Sequence, residues 1–181
     1  MSISLKGNLA KAIHALSRFH IGLGSASGIA TAMLLFIIIP DVVGRALFSY
    51  TIPAAAEISV LLLLCKIFLG LPGAQASNVF FNADAFVGRL SERWQSRIRT
   101  ATTLLSFVIV ALIAAITAQE AWKSTLAGEV SYGVHAVPVW PGRIVIALGL
   151  ALLALQLLAD FLRLVLGVEA VEREGSGLGP E

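Results

Sequence analysis

The sequence predicts an all-α integral membrane protein with four transmembrane helices and an in-plane amphipathic arm helix between the second and third spans. Of its 181 residues, 57% are apolar and only 13% are charged, and the mean hydropathy is +0.88. Several long runs carry almost no charge, and about 20 apolar residues in a helix cross the ~30 Å hydrocarbon layer of a bilayer. With its connections, the chain has room for one small bundle of about four spans.

The first span is predicted over about residues 21–48. Residues 21–40 contain no formal charge. Gly24 and Gly28 are four residues apart and place nearly bare backbone on one face of this helix, where another helix can pack closely. The alternative is that these glycines reflect only the ordinary composition of spanning helices. Residues 1–20 have apolar side chains at helical spacing among basic ones, which predicts an N-terminal amphipathic interfacial segment.

Two histidines, His14 and His20, lie in this interfacial segment. A metal site built on them would need another histidine at the same depth, and His135 is expected at the opposite face of the membrane. We therefore expect solvated interfacial side chains at His14 and His20.

Charged residues mark the connection between the first two spans. Asp41 and Arg45 are four residues apart, a spacing that lets them pair along a helix surface, and Glu57 opens the second span. Ionisable groups at the ends of spans are functional candidates. Either these three groups are solvated by headgroups and water, or they form a charged cluster that fixes the hairpin or holds a partner.

The second span, over residues 57–74, contains Lys66, and a lysine near the bilayer centre costs about 2.5–3.5 kcal/mol on insertion scales. Counting from the ends of their spans places Asp160 of the fourth span at a similar depth. We therefore consider an ion pair between Lys66 and Asp160. The alternatives are that Lys66 extends its stem to the interface, or that Asp160 pairs with Arg163 on its own helix.

The arm helix is predicted over residues 84–99. Asp84 is suited to cap its first turn. Apolar residues then recur every four positions while arginines and other polar residues take the remaining faces, and Trp94 can anchor the helix in the plane of the interface. A solvated connector is the alternative.

Two further spans complete a single membrane domain over residues 21–166. The third is predicted over residues 100–122. The fourth covers residues 140–166 and begins with Trp140, a residue type suited to the interface. Beyond it, residues 167–181 are acidic and rich in glycine, which predicts a disordered cytoplasmic tail.

Lysine and arginine are distributed unevenly between the two sides of the predicted bundle. Nine fall on the side that includes both termini and the arm, and three fall on the other side. The positive-inside rule then predicts that both termini are cytoplasmic. The formal net charge of +2 and the lack of a basic patch with interleaved aromatics argue against a nucleic-acid partner. No motif for a catalytic nucleophile, a phosphate loop or a metal cluster occurs, so we expect neither an enzyme nor a cofactor.

Several short motifs follow one another along the predicted spans. They are Asp41, Arg45 and Phe48 at the end of the first span, Pro53 and Glu57 at the start of the second, Leu69–Gly70, Asp84, the basic segment Arg89–Arg99, and Gly133–Pro141. Their order and spacing, over roughly residues 20–166, resemble the small membrane subunit of tripartite ATP-independent periplasmic (TRAP) transporters, the DctQ type.

The resemblance implies that this chain is a scaffold. In that family the small subunit binds a large membrane subunit, which carries the substrate and sodium sites, and a soluble periplasmic protein delivers the substrate. This implies a multi-pass protein of the bacterial inner membrane that supports sodium-driven uptake of an organic acid-like solute and can contact the periplasmic binding protein through its loops. The alternative is a stand-alone homo-oligomeric transporter or channel, which would need polar residues along one face of a span.

Overall fold

The computed structural model describes residues 3–50, 52–77, 91–131 and 137–166. These residues form four helices, which are α1 (Ile3–Phe48), α2 (Ala55–Ala76), α3 (Glu92–Ala127) and α4 (Trp140–Leu166). Each helix contains a segment long and apolar enough to cross a membrane. The described residues contain no strand beyond one isolated bridge, between Val130 and Pro138. The predicted all-α class with four spans is therefore confirmed.

The first helix passes the predicted boundary between the interfacial segment and the first span. α1 is a single helix from Ile3 to Phe48, and its one proline is Pro40. No helix end separates residues 3–20 from residues 21–48, because each residue added to an existing helix gains a backbone hydrogen bond. At ~1.5 Å per residue, the 46 residues of α1 reach about 69 Å, well beyond the ~30 Å hydrocarbon layer.

The third helix also continues through a predicted boundary. Ser91 has extended backbone angles (φ −63°, ψ 148°), and α3 starts at the next residue. Residues 92–99 of the predicted arm are the first turns of this spanning helix, because no glycine or proline between them and the span ends the helix. The rest of the predicted arm, including Asp84, lies outside the described residues, as does the predicted tail over residues 167–181.

The second helix extends beyond its predicted end. α2 finishes at Ala76, and Pro72 lies inside it. Pro72 is completely buried. The fourth helix starts and ends where the sequence predicts, at residues 140 and 166.

The helices pack in the order α1, α2, α4, α3. α1 lies against α2, α2 lies against α4, and α4 lies against α3, whereas α1 meets α4 at only a few positions. α1 and α3 therefore occupy the two ends of the row, and large apolar side chains on them remain uncovered by the rest of the chain. Phe36 of α1 is 80% exposed and Leu112 of α3 is 63% exposed.

Two glycines bring neighbouring helix backbones into direct contact. A methyl group at Gly73 of α2 would lie 2.6 Å from the carbonyl oxygen of His20 and 2.9 Å from Gly24 Cα. A methyl group at Gly149 of α4 would lie 2.6 Å from the carbonyl carbon of Phe68. The predicted close contact at Gly24 is therefore present, whereas Gly28 has no neighbour that a methyl group would touch.

Candidate functional sites at the two ends of the bundle

Polar side chains gather at both ends of the helix row. We name the end where α2 and α4 finish the Asp160 end, and the end where α2 and α4 begin the Glu57 end.

At the Asp160 end, His20 and Gln156 are both fully buried. His20 Nδ1 lies 2.8 Å from Gln156 Oε1. Since an amide oxygen can only accept, we assign Nδ1 as the donor in this contact. Nε2 is buried and has no hydrogen-bond partner among the residues that the structure describes. The expected solvated interfacial histidine is wrong for His20, because this face of α1 packs against α2 and α4; the side chain of His14 lies outside the described part.

Gln156 and Asp160 extend this contact into a network across three helices. Gln156 Nε2 donates to Asp160 Oδ1 at 3.0 Å, and Gln75 Nε2 of α2 donates to Asp160 Oδ2 at 3.0 Å. The Ser17 hydroxyl of α1 accepts from Gln156 Nε2 at 3.4 Å and from the Arg163 guanidinium at 3.2 Å. The network therefore joins α1, α2 and α4. Within it, Gln156 and Ser17 link Asp160 to Arg163.

The hypothesis of an ion pair between Lys66 and Asp160 is not supported by these contacts. Gln75, the α2 residue that bonds Asp160, lies nine positions after Lys66, or about 13 Å further along the helix. Gly149, whose backbone touches Phe68, marks the level of α4 nearest Lys66, about 16 Å from Asp160. The depth estimate was wrong because α2 does not stop at Pro72 but continues to Ala76.

At the Glu57 end, Asp41 fixes the connection between α1 and α2. Asp41 is 5% exposed. Its Oδ1 accepts from the backbone N–H of Ile52 at 2.9 Å, and its Oδ2 accepts from the Arg45 guanidinium, the pair that the spacing predicts. Among the described residues of this connection, Ser49 and Ala54 have positive φ without being glycine, at 52° and 60°. Of the two alternatives for this cluster, the contacts of Asp41 favour fixing of the hairpin.

A second charged cluster joins α3, α4 and the connection between them. Arg143 donates to Glu129 Oε1 at 2.8 Å and lies 4.0 Å from Glu120. Lys123 donates to Glu120 Oε1 at 2.8 Å. The connection folds back on itself, with the backbone N–H of Val139 donating to the Glu129 carbonyl at 2.9 Å. These side chains are partly or largely exposed, so water or headgroups can reach them.

Beside this cluster lies a groove of about 460 Å³ between α2 and α3, with α4 beneath it. Its lining residues are Glu57, Val60, Leu61, Leu64, Thr117, Glu120, Ser131, Val137, Pro138, Val139, Gly142, Arg143 and Ile146. Glu57, at the mouth of the groove, makes no hydrogen bond or ion pair within the described part of the chain. Glu57 therefore lines this mainly apolar groove, whereas the other predicted acid, Asp41, is not among the residues that line it.

The predicted interfacial tryptophans lie at opposite ends of the bundle. Trp94 is near the start of α3, is 56% exposed, and has the Arg97 guanidinium 5.6 Å from its ring centroid, a cation–π distance. Trp140 is the first residue of α4. The positions of these two indoles agree with the aromatic belts that flank a bilayer.

Sequence reasoning named Asp160, His20 and Arg163 separately but missed the polar network that joins them at the Asp160 end. Its members are Ser17, His20, Gln75, Gln156 and Arg163. Two signals were available. Ser17, His20 and Gly24 recur at the spacing of one helix face, and Gln156 precedes Asp160 by one helical turn, a spacing that favours a side-chain hydrogen bond.

Comparison with known proteins bears directly on the family. The family model for the DctQ component of tripartite ATP-independent periplasmic transporters matches residues 34–167. No curated protein and no solved structure is significantly similar to the chain. The matched range covers more than half of the chain and includes all of α2, α3 and α4. This chain therefore belongs to the DctQ family and is the small subunit of a TRAP transporter, a multi-pass protein of a bacterial membrane.

Proposed function

We propose that this chain is a non-catalytic scaffold that supports the large membrane subunit of its transporter during uptake. That uptake is sodium-driven, depends on a periplasmic binding protein, and carries an organic acid-like solute. The observation on which this proposal rests is the family match over residues 34–167, because it spans nearly all of the membrane domain.

The packing of α1, α2 and α4 supports a stationary subunit. Gly73 and Gly149 bring backbones into contact, and such contacts are lost if either helix slides or rotates by a fraction of a turn. The network at Asp160 adds hydrogen bonds from α1 and α2 to α4. A unit held in this way can brace a neighbour that moves.

Two apolar faces offer surface for the large subunit. The α1 face consists of Ile29, Met33, Phe36, Val43 and Leu47, and the α3 face consists of Leu105, Val108, Leu112 and Ile116. The residues of each face recur at helical spacing, and the two faces lie at the two ends of the helix row. We propose that one of them contacts the large subunit while the other contacts lipid, since helices in a bilayer associate by close packing rather than by hydrophobic exclusion from water.

The orientation that we propose places the Glu57 end in the periplasm of a bacterial inner membrane, with both termini in the cytoplasm. It rests on the lysine and arginine distribution, nine residues against three, and on the positive-inside rule. In this orientation the connections at the Glu57 end can meet the periplasmic binding protein.

Co-purification tests the proposal. The full chain, tagged and expressed with the large membrane subunit, is expected to retain that subunit through detergent extraction. Phe36→Ala and Leu112→Ala serve as each other's matched control, because each shortens an exposed side chain on one face. Only one of them should lower retention severalfold. A chain that elutes without the large subunit, as a homo-oligomer that moves solute in liposomes, would instead be a stand-alone transporter or channel.

A further inference from the structure

We propose that the groove at the Glu57 end binds one aminophospholipid, phosphatidylethanolamine. In this assignment its ammonium group lies at Glu57, its phosphate lies at Arg143, and one acyl chain lies between α2 and α3. The proposal concerns a lipid site on this chain and does not depend on which solute the transporter carries.

The groove exists because α2 and α3 are both packed on α4 but not on each other. Val60, Leu61 and Leu64 of α2 and Ile146 of α4 form apolar walls. Its floor is closed at Gly142, where a methyl group would lie 2.9 Å from the side chain of Leu61. A volume of about 460 Å³ with mainly apolar walls and a few polar groups is typical of small-molecule sites.

From the mouth of the groove inwards, its polar and apolar residues follow the same order as the headgroup and the acyl chain of a lipid. Glu57 lies in the first turn of α2, where headgroups are expected for a spanning helix. Leu64 lies seven residues further along the same helix, or about 10 Å deeper. A headgroup at the mouth and a hydrocarbon chain below it would match this order.

The charges at the mouth select the headgroup. Lys123 is paired with Glu120, and Arg143 is paired with Glu129, so the carboxylate of Glu57 is the charge left without a counterion among these groups. An ammonium group supplies that charge and three hydrogen-bond donors. Arg143 is 35% exposed, and a guanidinium has five donors, so it can also bond a phosphate. An anionic lipid would lack the cation that Glu57 needs.

Native mass spectrometry of the full chain in detergent tests the site. The chain is titrated separately with phosphatidylethanolamine, phosphatidylcholine and phosphatidylglycerol. We expect one tightly held phosphatidylethanolamine, with binding of phosphatidylglycerol at least tenfold weaker. Phosphatidylcholine should lie between them, since it keeps the positive charge but has no N–H donor. Glu57→Gln should reduce phosphatidylethanolamine binding to the level of phosphatidylglycerol.

A pair of tryptophan substitutions locates the acyl chain. Val60 lines the groove and Ile58 does not, although both are exposed side chains near the start of α2. Val60→Trp should abolish the bound lipid and Ile58→Trp should retain it. Equal binding of the three lipids, no effect of Glu57→Gln, or equal effects of the two tryptophans would overturn the proposal. The proposal would also be overturned if a second copy of this chain, or the large membrane subunit, displaced the lipid. Cross-linking of either one to a Val60→Cys variant in the assembled transporter would show this.

Discussion

The two ends of the bundle hold polar groups by different means. At the Asp160 end, partners come from three helices and are far apart in sequence, and the central residues His20 and Gln156 are fully buried. At the Glu57 end, the ion pairs join residues that are nearer in sequence. Asp41 with Arg45 and Glu120 with Lys123 lie on single helices, Arg143 pairs with Glu129 in the connection that precedes its helix, and most of these side chains are partly or largely exposed. The first arrangement exists only when α1, α2 and α4 are packed, whereas the second forms largely within single helices and their connections.

This difference predicts where the bundle is sensitive. A buried polar group that loses its partner costs about 1–3 kcal/mol, whereas an exposed ion pair contributes about 0–1 kcal/mol. Substitutions at the Asp160 end should therefore affect the whole bundle, and those at the Glu57 end should have smaller and more local effects. Four experiments test the contrast, in order of decreasing effect.

The largest effect is expected for Gly73→Ala. Its methyl group would meet backbone atoms of His20 and Gly24, which cannot move without separating α1 from α2. Overpacking of this kind typically costs about 1–3 kcal/mol and sometimes more, and we expect the upper part of that range in unfolding measurements in detergent.

Two other glycines are the controls for Gly73→Ala. At Gly142 the methyl group would meet the ends of the Leu61 and Leu64 side chains, which can rotate, so Gly142→Ala should cost clearly less. At Gly28 nothing lies within reach, and Gly28→Ala should cause no loss of stability. Equal effects at the three positions would contradict the contrast between the two ends.

The next largest effect is expected for Gln156→Leu. This change removes the acceptor for His20 and a donor to Asp160 and Ser17, and we expect a loss of about 2–3 kcal/mol from unsatisfied buried groups. Gln119 of α3 is exposed, so Gln119→Leu is the matched control and should be nearly neutral.

A double-mutant cycle sharpens this second test. His20→Leu and Gln156→Leu together should cost less than the sum of the two single changes, by at least about 0.5 kcal/mol, because they remove the two sides of one contact. Strict additivity would mean that the hydrogen bond between His20 and Gln156 does not stabilise the bundle.

A smaller effect is expected at Asp41. Asp41→Ala removes the acceptor for the Ile52 N–H and the partner of Arg45, so the melting temperature should fall by a few degrees. Arg45→Gln leaves the bond to Ile52 in place and should lower the melting temperature less. If Arg45→Gln were the more harmful change, the ion pair rather than the backbone contact would hold the connection.

The smallest effect is expected for Lys123→Gln. The lysine side chain is 69% exposed and its pair with Glu120 spans one helical turn. Such pairs are screened by water and salt and contribute little, so the melting temperature should not change measurably. A fall as large as that of Gln156→Leu would contradict the ranking of the two ends.

The sequence alone was sufficient for the spans and for local pairs. Long uncharged runs predicted four spanning helices, because the thickness of a bilayer sets their length. The spacing of Asp41 and Arg45 predicted their pair, and the small size of Gly24 predicted a close helix contact. Each of these features depends on residues that are near in sequence or on a property of one helix.

Features that depend on how helices are placed beside each other were not predicted. The network of His20, Gln156 and Asp160 needs three packed helices, and the length of α2 beyond Pro72 decided that Gln75, not Lys66, meets Asp160. The continuity of α1 and α3 through the predicted ends of the interfacial segments was not predicted either, because an amphipathic surface helix and a spanning helix share the same period. The groove at Glu57 likewise follows from the separation of α2 and α3.

Solute uptake into proteoliposomes tests the central proposal most directly. Liposomes would hold either this chain alone, the large membrane subunit alone, or both together, each with a sodium gradient and the loaded periplasmic binding protein outside. If this chain is a scaffold, solute should accumulate only when both membrane subunits are present. Accumulation with this chain alone, or undiminished uptake without it, would contradict that account.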